Sequence, residues 1–382
     1  MITYDAVTKI FGTGREAVTA LDNVSFNIPD GEIVVFLGPS GCGKTTMLRL
    51  TNRLETITRG NILIGDLNIR DTDPVELRQR LGYVIQAIGL FPNKTIAENI
   101  ATVPKLLGWD KQRISERIDE LLEMTNLEPE MYRDRYPAEL SGGQQQRVGV
   151  ARGLAADPEI LLMDEPFGAI DPINREQIQN EFLRLQAKLK KTIAFVSHDI
   201  HEAIKMGDRI ALFQKGKVIQ YDVPEIILTQ PKNKFVANFV GADRALKVLG
   251  LMQVKDTINR KPKNVINGAD RTQDALKFLE EKGFRYSIVV EHGKPIGSVT
   301  PKILKYETCL VRDVVEPYPL FLKERTSLRD VLSFMLMYDE VTFCVVEENG
   351  DFAGTVTYND IQRMVRESYA DEAESDGSEG TP

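Results

Sequence analysis

A glycine-rich segment near the amino end determines which folds are open to this chain. It follows a short apolar run, Ile33–Leu37, that is typical of a buried strand, and it precedes a helical pattern from Thr46 to Leu54. Its residues are Gly38, Pro39, Ser40, Gly41, Cys42, Gly43, Lys44 and Thr45. This is the spacing of a loop that binds phosphates through inward-pointing N–H groups at a helix N-terminus. The sequence therefore predicts a nucleotide site, with Lys44 on the β- and γ-phosphates and Thr45 on Mg²⁺.

Composition limits the classes of protein to consider. The 382 residues predict two or three domains, and the 42% hydrophobic and 27% charged contents are typical of a soluble globular chain. No apolar run approaches the roughly 20 residues needed to span a bilayer, and no secretory signal is recognisable. A net charge of -8 argues against a nucleic-acid partner bound through bulk positive charge. The cysteines, Cys42, Cys309 and Cys344, lack metal-ligand spacing and favour a reduced, cytosolic chain.

Three further apolar runs end in residues with catalytic chemistry, namely Gln86, the pair Asp164 and Glu165, and His198. The carboxyl ends of strands in an α/β sheet are where ligands bind. Asp164 is therefore expected to hold Mg²⁺, and Glu165 to accept a proton from the attacking water. Gln86 is expected to touch Mg²⁺ or that water, or else to be a surface amide. His198 acts on the γ-phosphate or is a structural histidine.

A helical insertion is predicted between these strands, over residues 95–140, where apolar residues recur at helical spacing. It leads into Leu140, Ser141, Gly142, Gly143, Gln144, Gln145, Gln146 and Arg147, which open a helix running to Ala155. Ser141 has N-cap chemistry, and the glycines permit close backbone approach. The N-terminus of this helix is therefore a second candidate anion-binding site. The alternative is a well-capped helix that binds no ligand.

The order of these motifs resembles the ATPase subunit of ABC transporters over about the first 240 residues. The resemblance implies an ATP hydrolase that binds ATP and Mg²⁺, with Glu165 as the base and His198 and Gln86 as further catalytic residues. It implies Mg²⁺ ligation by Thr45, Gln86 and Asp164. It implies ATP contacts from Phe11, which otherwise is an ordinary strand-end aromatic, from residues 38–46, and from Ser141, Gly142, Gly143, Gln144 and Asp171. It also implies that Ser141, Gly142 and Gly143, which match the signature motif of the family, cap the γ-phosphate of ATP bound to the opposite subunit of a homodimer.

Finer features resemble the importers of glycine betaine, choline and carnitine. They are Asn52–Leu54, Tyr83–Gln86, Gly89–Pro92 and Val103–Leu107. This implies a subunit that powers import of a compatible solute of the glycine betaine, choline, carnitine or proline-betaine class. Its expected place is peripheral, on the cytoplasmic face of the cell membrane, with permease subunits and a separate or fused solute-binding protein. An importer for another small solute, or a non-transport ABC ATPase, is the alternative.

Two similar units follow at residues 264–308 and 309–369, each with the order helix, strand, turn, strand. They resemble a tandem pair of CBS domains. Gly354, Thr357 and Asp360 match that family's ribose-binding pattern, whereas the first unit has Ile303 in place of the acid. The resemblance implies one regulatory site for an adenine nucleotide or dinucleotide; a module without a ligand is the alternative.

The sequence thus predicts an α/β fold of the P-loop NTPase class followed by an α+β tandem CBS module. The ATPase domain spans residues 1–240, with a mixed sheet and a helical subdomain at about 87–155, and residues 241–263 form a linker. The acidic tail, 370–382, is predicted to be disordered. It either makes transport sensitive to ionic strength, because salt screens its charges, or only aids solubility.

Overall fold

The computed structural model describes residues 1–85, 89–168 and 170–369. The described residues form two compact units, the first within 1–227 and 231–240 and the second within 228–230 and 241–369. No helix in these described ranges is both long enough and apolar enough to cross a bilayer. The predicted acidic tail and Gln86 lie outside the described residues.

The first unit contains strands and helices in alternation. Its strands are β1 (Ile2–Phe11), β2 (Val18–Ile28), β3 (Ile33–Leu37), β4 (Arg59–Ile64), β5 (Leu67–Asn68), β6 (Leu81–Val84), β7 (Ile160–Asp164), β8 (Thr192–Val196), β9 (Arg209–Gln214) and β10 (Lys217–Asp222). The helices up to residue 240 are α1 (Lys44–Thr51), α2 (Pro74–Gln79), α3 (Ile96–Ile100), α4 (Thr102–Leu106), α5 (Lys111–Met124), α6 (Pro129–Tyr132), α7 (Gly142–Leu154), α8 (Pro172–Leu189), α9 (Ile200–Met206), α10 (Pro224–Thr229) and α11 (Lys234–Val240).

The central sheet of this unit is mixed. Its strand order in the described part of the chain is β10-β9-β3-β8-β7-β6, and only the β9–β10 pair is antiparallel. Strands β3, β7 and β8 are buried at every position, which explains why they are continuous apolar runs. Because these strands are parallel, their carboxyl ends meet at one edge of the sheet. The residues that follow them are therefore brought together there.

A second, antiparallel sheet packs against the central one. Its described strands run in the order β2-β1-β4-β5, and the core between the two sheets includes Tyr4, Phe26, Phe36 and Phe213. Tyr4 and Phe26 stack with ring centroids 4.6 Å apart. Helices α3 to α7 lie between β6 and β7 in the chain. The architecture confirms the predicted P-loop fold with a mixed sheet and a helical insertion.

The second unit repeats one small plan. Its helices are α12 (Arg244–Leu251), α13 (Thr272–Lys282), α14 (Pro301–Leu304), α15 (Leu328–Tyr338) and α16 (Tyr358–Ser368). Its strands are β11 (Val265–Asn267), β12 (Ser287–Glu291), β13 (Lys294–Val299), β14 (Leu322–Lys323), β15 (Thr342–Val346) and β16 (Phe352–Thr357). They form two described sheets, β11-β12-β13 and β14-β15-β16, each with a parallel pair followed by an antiparallel pair. This is the α+β repeat that the sequence predicts.

Matching glycines mark the repeat. Gly297 has a φ of +153° and Gly354 a φ of +149°, and each lies in the last strand of its sheet. A Cβ atom at Gly297 would lie 2.2 Å from the carbonyl oxygen of Glu316, and one at Gly354 would lie 2.3 Å from that of Asn259. In both sheets a neighbouring backbone segment therefore approaches the strand so closely that only glycine fits.

The segment predicted as a linker, 241–263, contains structure of its own. Helix α12 lies within it, and Leu249 and Val254 are buried in the same hydrophobic cluster as Phe343 and Val356. The apolar spacing of α12 is that of a helix that packs on one face. This stretch is therefore part of the second unit's core.

Gly354→Ala should loosen the β14-β15-β16 sheet, because the added Cβ meets the Asn259 carbonyl and the backbone conformation is unfavourable for alanine. We expect the local free energy of unfolding to fall by ~2–4 kcal/mol, measured by hydrogen exchange of peptides that cover this sheet. Gly350→Ala is the matched control, since Gly350 has a φ of +86° but no atom within 4 Å of the place where an added methyl group would lie. Equal losses in both variants would contradict the close approach.

Candidate functional site

The glycine-rich loop connects β3 to α1 with a backbone that excludes larger residues. Gly38, Gly41 and Gly43 have φ values of +144°, +76° and +110°. A Cβ at Gly38 would lie 2.3 Å from the carbonyl oxygen of Phe213, and one at Gly43 would lie 2.6 Å from that of Ala20. The loop is thus held against neighbouring strands, and its N–H groups and the start of α1 form a concave site of the kind that binds anions.

Lys44 lies at the start of α1 with its side chain folded into the loop. The residue is 6% exposed, and its ammonium group donates to the carbonyl oxygens of Gly38 at 2.6 Å and Pro39 at 2.9 Å. The thiol of Cys42 lies 3.8 Å from the same nitrogen, and burial raises the pKa of that thiol. The positive charge is therefore kept within the loop that would receive phosphates.

Thr45 and Asp164 lie together, as the sequence suggests for residues at one sheet edge. The Thr45 hydroxyl donates to Asp164 Oδ1 at 3.0 Å. Asp164 ends β7 and is 4% exposed, and this burial raises the pKa of its carboxyl group, although the hydrogen bond from Thr45 acts in the opposite direction. Two oxygen donors of the kind that Mg²⁺ prefers thus lie beside the phosphate loop.

Glu165 and His198 also lie next to each other. Glu165 Oε1 is 3.5 Å from His198 Nδ1. The Glu165 backbone has a φ of +47°, and its N–H donates to the carbonyl oxygen of Val196 at 3.1 Å. A left-handed conformation is unfavourable for a glutamate and costs about 1–3 kcal/mol, so its presence at this strand end is a sign of functional constraint.

The signature helix α7 has a complete N-terminal cap. The Ser141 hydroxyl accepts from the N–H of Gln144 at 3.3 Å, and the Gln144 side chain accepts from the N–H of Ser141 at 2.9 Å. Gln144 Nε2 also donates to the hydroxyl of Tyr132 at 2.9 Å. Gly142 and Gly143 are the first two helical residues. Ser141 and Gln144 are therefore fixed by each other, and the helix presents its N-terminal backbone beside two glycines.

Phe11 and Asp171 lie at element boundaries. Phe11 ends β1, is 38% exposed, and has the Lys9 ammonium 4.5 Å from its ring centroid. Asp171 is the N-cap of α8 and accepts from the N–H of Asn174 at 3.1 Å. Both side chains thus have structural contacts of their own. Their predicted contacts with ATP stay predictions.

A buried acid near His198 was not found from the sequence. Glu202 is 8% exposed and bonds to Ser197, the residue before His198, and to Gln179. An acidic residue in the first turn of a helix is usually explained by the helix dipole, so the sequence offered no signal for a buried role. Only the fold reveals that α9 turns this side chain inward.

The predicted regulatory residues of the second unit lie at the junction of β16 and α16. Asp360 Oδ2 accepts from the N–H of Thr357 at 3.0 Å and from its hydroxyl at 2.6 Å, and Oδ1 accepts from Arg363 at 3.1 Å. In the first unit Thr300 makes no such cap with its side chain. This difference between the two repeats agrees with the sequence, in which the first repeat has Ile303 where the second has Asp360. Nucleotide binding by Gly354, Thr357 and Asp360 stays a prediction.

Comparison with known proteins assigns both parts of the chain to families. Residues 21–168 match the family described as ABC transporter, and residues 311–367 match the CBS domain. The osmoprotectant import ATP-binding protein OsmV of Salmonella typhimurium is 46% identical, over 94% of this chain and 95% of that protein. The carnitine transport ATP-binding protein OpuCA of Listeria monocytogenes is 43% identical over 96% and 93%, respectively. The choline transport ATP-binding protein OpuBA of Bacillus subtilis is 42% identical over 96% and 97%.

Solved structures are similar to the first unit. The dimeric structure of MJ0796, a bacterial ABC transporter cassette, is 38% identical with a TM-score of 0.53, and covers 59% of this chain and 99% of that one. A dimeric post-hydrolysis state of the same cassette, bound to ADP and Pi, is 37% identical with a TM-score of 0.53 over the same shares.

The buried charge of Asp164 should cost stability. Its raised pKa means that ionisation is penalised in the folded state, so this cost develops as the pH rises above the unfolded-state pKa, is complete once the pH has passed the folded pKa, and is absent below the unfolded-state pKa. We expect Asp164→Asn to raise the melting temperature of the nucleotide-free chain by about 2–4 °C at pH 7.5, with the gain shrinking as the pH falls. Differential scanning fluorimetry over a pH series measures this.

The exposed Asp66→Asn is the matched control, since it makes the same chemical change without burial. A melting temperature that does not rise for Asp164→Asn at pH 7.5, or a gain that grows on acidification, would contradict the assigned cost.

Proposed function

The chain belongs to the ATP-binding proteins of ABC transporters, with a CBS domain at its carboxyl end, and is an ATPase; from this we propose that it powers import of an osmoprotectant. The solute class is that of glycine betaine, choline, carnitine or proline betaine. The observation that carries the proposal is the length of the similarity. Relatives named for osmoprotectant, carnitine and choline transport match over at least 94% of this chain, so they share both its ATPase part and its carboxyl-terminal part.

The sheet edge supplies the groups for phosphoryl transfer to water. The loop N–H groups and Lys44 bind the phosphates, which requires the ammonium to leave its bonds to Gly38 and Pro39. Glu165 Oε1 takes the proton of the attacking water, and His198, 3.5 Å away, holds that carboxylate and the γ-phosphate in place. Catalysis is then positioning and electrostatic stabilisation.

Mg²⁺ fits the residues present. Thr45 Oγ1 and Asp164 Oδ1 lie 3.0 Å apart, and both are oxygen atoms that can ligate the ion. Few protein ligands are needed, because Mg²⁺ keeps several water ligands and also binds the substrate phosphates. When bound, the ion neutralises phosphate charge. Gln86, the third proposed ligand, lies outside the described residues. No group of three or more acidic, histidine or cysteine residues suited to a metal occurs among those described.

Two copies of the chain complete the ATP sites. The start of α7 is a second anion site, far along the chain from the phosphate loop. It consists of Ser141, Gly142, Gly143 and Gln144. In the dimer it binds the γ-phosphate of the ATP that the other copy holds in its phosphate loop. Asp171 lies at the start of α8, where it faces the same shared pocket, and Phe11 stacks on the adenine. The dimeric form of the similar cassette MJ0796 supports this arrangement.

The remaining partners follow from the import function. The chain acts on the cytoplasmic face of the cell membrane, bound to permease subunits that receive a solute-binding protein, separate or fused. The second unit regulates transport in response to ionic strength or to an adenine nucleotide at Gly354, Thr357 and Asp360. The cap around Asp360 and the family match over residues 311–367 support a role for that repeat.

The test is solute-stimulated ATP hydrolysis by the complete transporter in vesicles. We expect glycine betaine, choline or carnitine, with the cognate binding protein, to raise the turnover of ATP severalfold, while histidine and maltose do not. Glu165→Gln is the control: it keeps the loop that binds ATP, and should reduce turnover by about 10²–10⁴-fold because the proton acceptor is lost. Stimulation by an unrelated solute alone would assign the importer to another substrate class. Full activity of Glu165→Gln would remove that residue as the base.

A further inference from the structure

Glu202 connects the end of β8 to α8 through buried hydrogen bonds. Its Oε2 accepts from the hydroxyl of Ser197, and its Oε1 accepts from Gln179 Nε2 at 3.1 Å. Ser197 is 1% exposed, Gln179 is 5% and Glu202 is 8%. The N–H of Asp199 donates to Ser197 Oγ at 3.0 Å, which leaves the Ser197 proton for the carboxylate. The residue directly before His198 is therefore tied to a buried acid.

The same network reaches the segment before α8. Arg175 and Gln179 are four residues apart on α8 and so lie on one face of it. Arg175 donates through Nη2 to the carbonyl oxygen of Ile170 at 2.9 Å, and its charge favours the ionised form of Glu202. Ile170 directly precedes Asp171, the N-cap of α8. One face of α8 thus contacts both the Ile170–Asp171 segment and the acid that holds Ser197.

We propose that Glu202 is a positioning residue for ATP hydrolysis, which holds Ser197 so that His198 stays beside Glu165 and which couples His198 to the Ile170–Asp171 segment through α8. The inference rests on the proposed roles of Glu165 and His198. A movement of Asp171 on dimer closure would shift α8, and with it the Ser197–Glu202 contact that places the imidazole. Closure by a second copy would thereby set the geometry at the catalytic glutamate.

The chemistry of the site explains why a carboxylate is needed. Burial raises the pKa of Glu202, so keeping a charge here has a cost that hydrogen bonds from Ser197 and Gln179 offset. A glutamine at this position is neutral, so it accepts from Ser197 more weakly than the carboxylate does, and it can bond to Gln179 only if the Gln179 amide turns over to present its oxygen. Without that rotation two NH₂ groups face each other and one of the two bonds is lost. Exchanging the two side chains restores a donor and an acceptor on each contact.

The test compares Glu202→Gln with the exchanged pair Glu202→Gln/Gln179→Glu in steady-state ATP hydrolysis by the complete transporter. For the single variant we expect kcat to fall about tenfold to hundredfold, the range for a broken bond to a charged group. The KM for ATP should stay within about twofold, because the phosphate loop is untouched. The exchanged pair should recover kcat to within about threefold of the parent, and its melting temperature should match that of the single variant or exceed it.

Glu176→Gln is the matched control, since it makes the same change on α8 at an exposed side chain that pairs with Lys205; its kcat should not change. An unchanged kcat in Glu202→Gln would overturn the proposal. So would an exchanged pair that regains the parent melting temperature but not kcat, or a single variant whose loss appears only in KM. These readouts need no particular solute, so a failed solute test would refute the import proposal and leave this one standing.

Discussion

The parallel pairing of β3, β8 and β7 is the constraint on which the site depends. Phe36 pairs with Val196, and Val196 pairs with Asp164, so the last residues of these strands lie at one level of the sheet. The phosphate loop, His198 and the two acids follow at that level. Hydrogen bonds across the sheet thus place Thr45 and Asp164, which are 119 residues apart in the chain, within hydrogen-bonding distance, and they bring Glu165 beside His198.

Two residues at this edge of the sheet, Asp164 and Glu165, are in arrangements that lower the stability of the fold. Asp164 keeps a carboxylate in a buried position where its ionisation is penalised, and Glu165 keeps a left-handed backbone that glutamate disfavours. Lys44 meanwhile satisfies its ammonium with the loop's own carbonyl groups. Bound Mg²⁺ would stabilise the Asp164 carboxylate, and bound phosphates would give Lys44 stronger acceptors. Nucleotide binding and local stability are therefore linked at the same residues.

Much of the fold and of the candidate site was predictable from the sequence, because it depends on local patterns of residues. The strands Thr342–Val346 and Phe352–Thr357 follow helix α15 in the predicted order of helix, strand, turn and strand. Each is a run rich in β-branched or aromatic residues, and turn residues separate them. Asp164 and His198 were placed at the sheet edge because each follows an apolar run, and Thr45 was placed there by the spacing of the glycine-rich loop. Helix α12 was missed because a short helix in a connecting stretch has few periodic positions to recognise.

The Glu202 network was beyond the reach of sequence reasoning for a different reason. Its partners Ser197 and Gln179 come from separate elements, and no spacing along the chain relates a residue of α8 to one of α9. Contacts that arise from packing between elements require the fold, whereas the groups that end a strand or begin a helix do not.

We propose that one chain carries half of each ATP pocket and that a second copy carries the other half. Sedimentation velocity of Glu165→Gln with and without MgATP tests it most directly, with Lys44→Ala, which removes the phosphate-binding ammonium, in parallel. We expect an ATP-dependent dimer of Glu165→Gln that retains two nucleotides, and no ATP-dependent dimer for Lys44→Ala. A Glu165→Gln chain that binds MgATP tightly and stays monomeric at every concentration would contradict it.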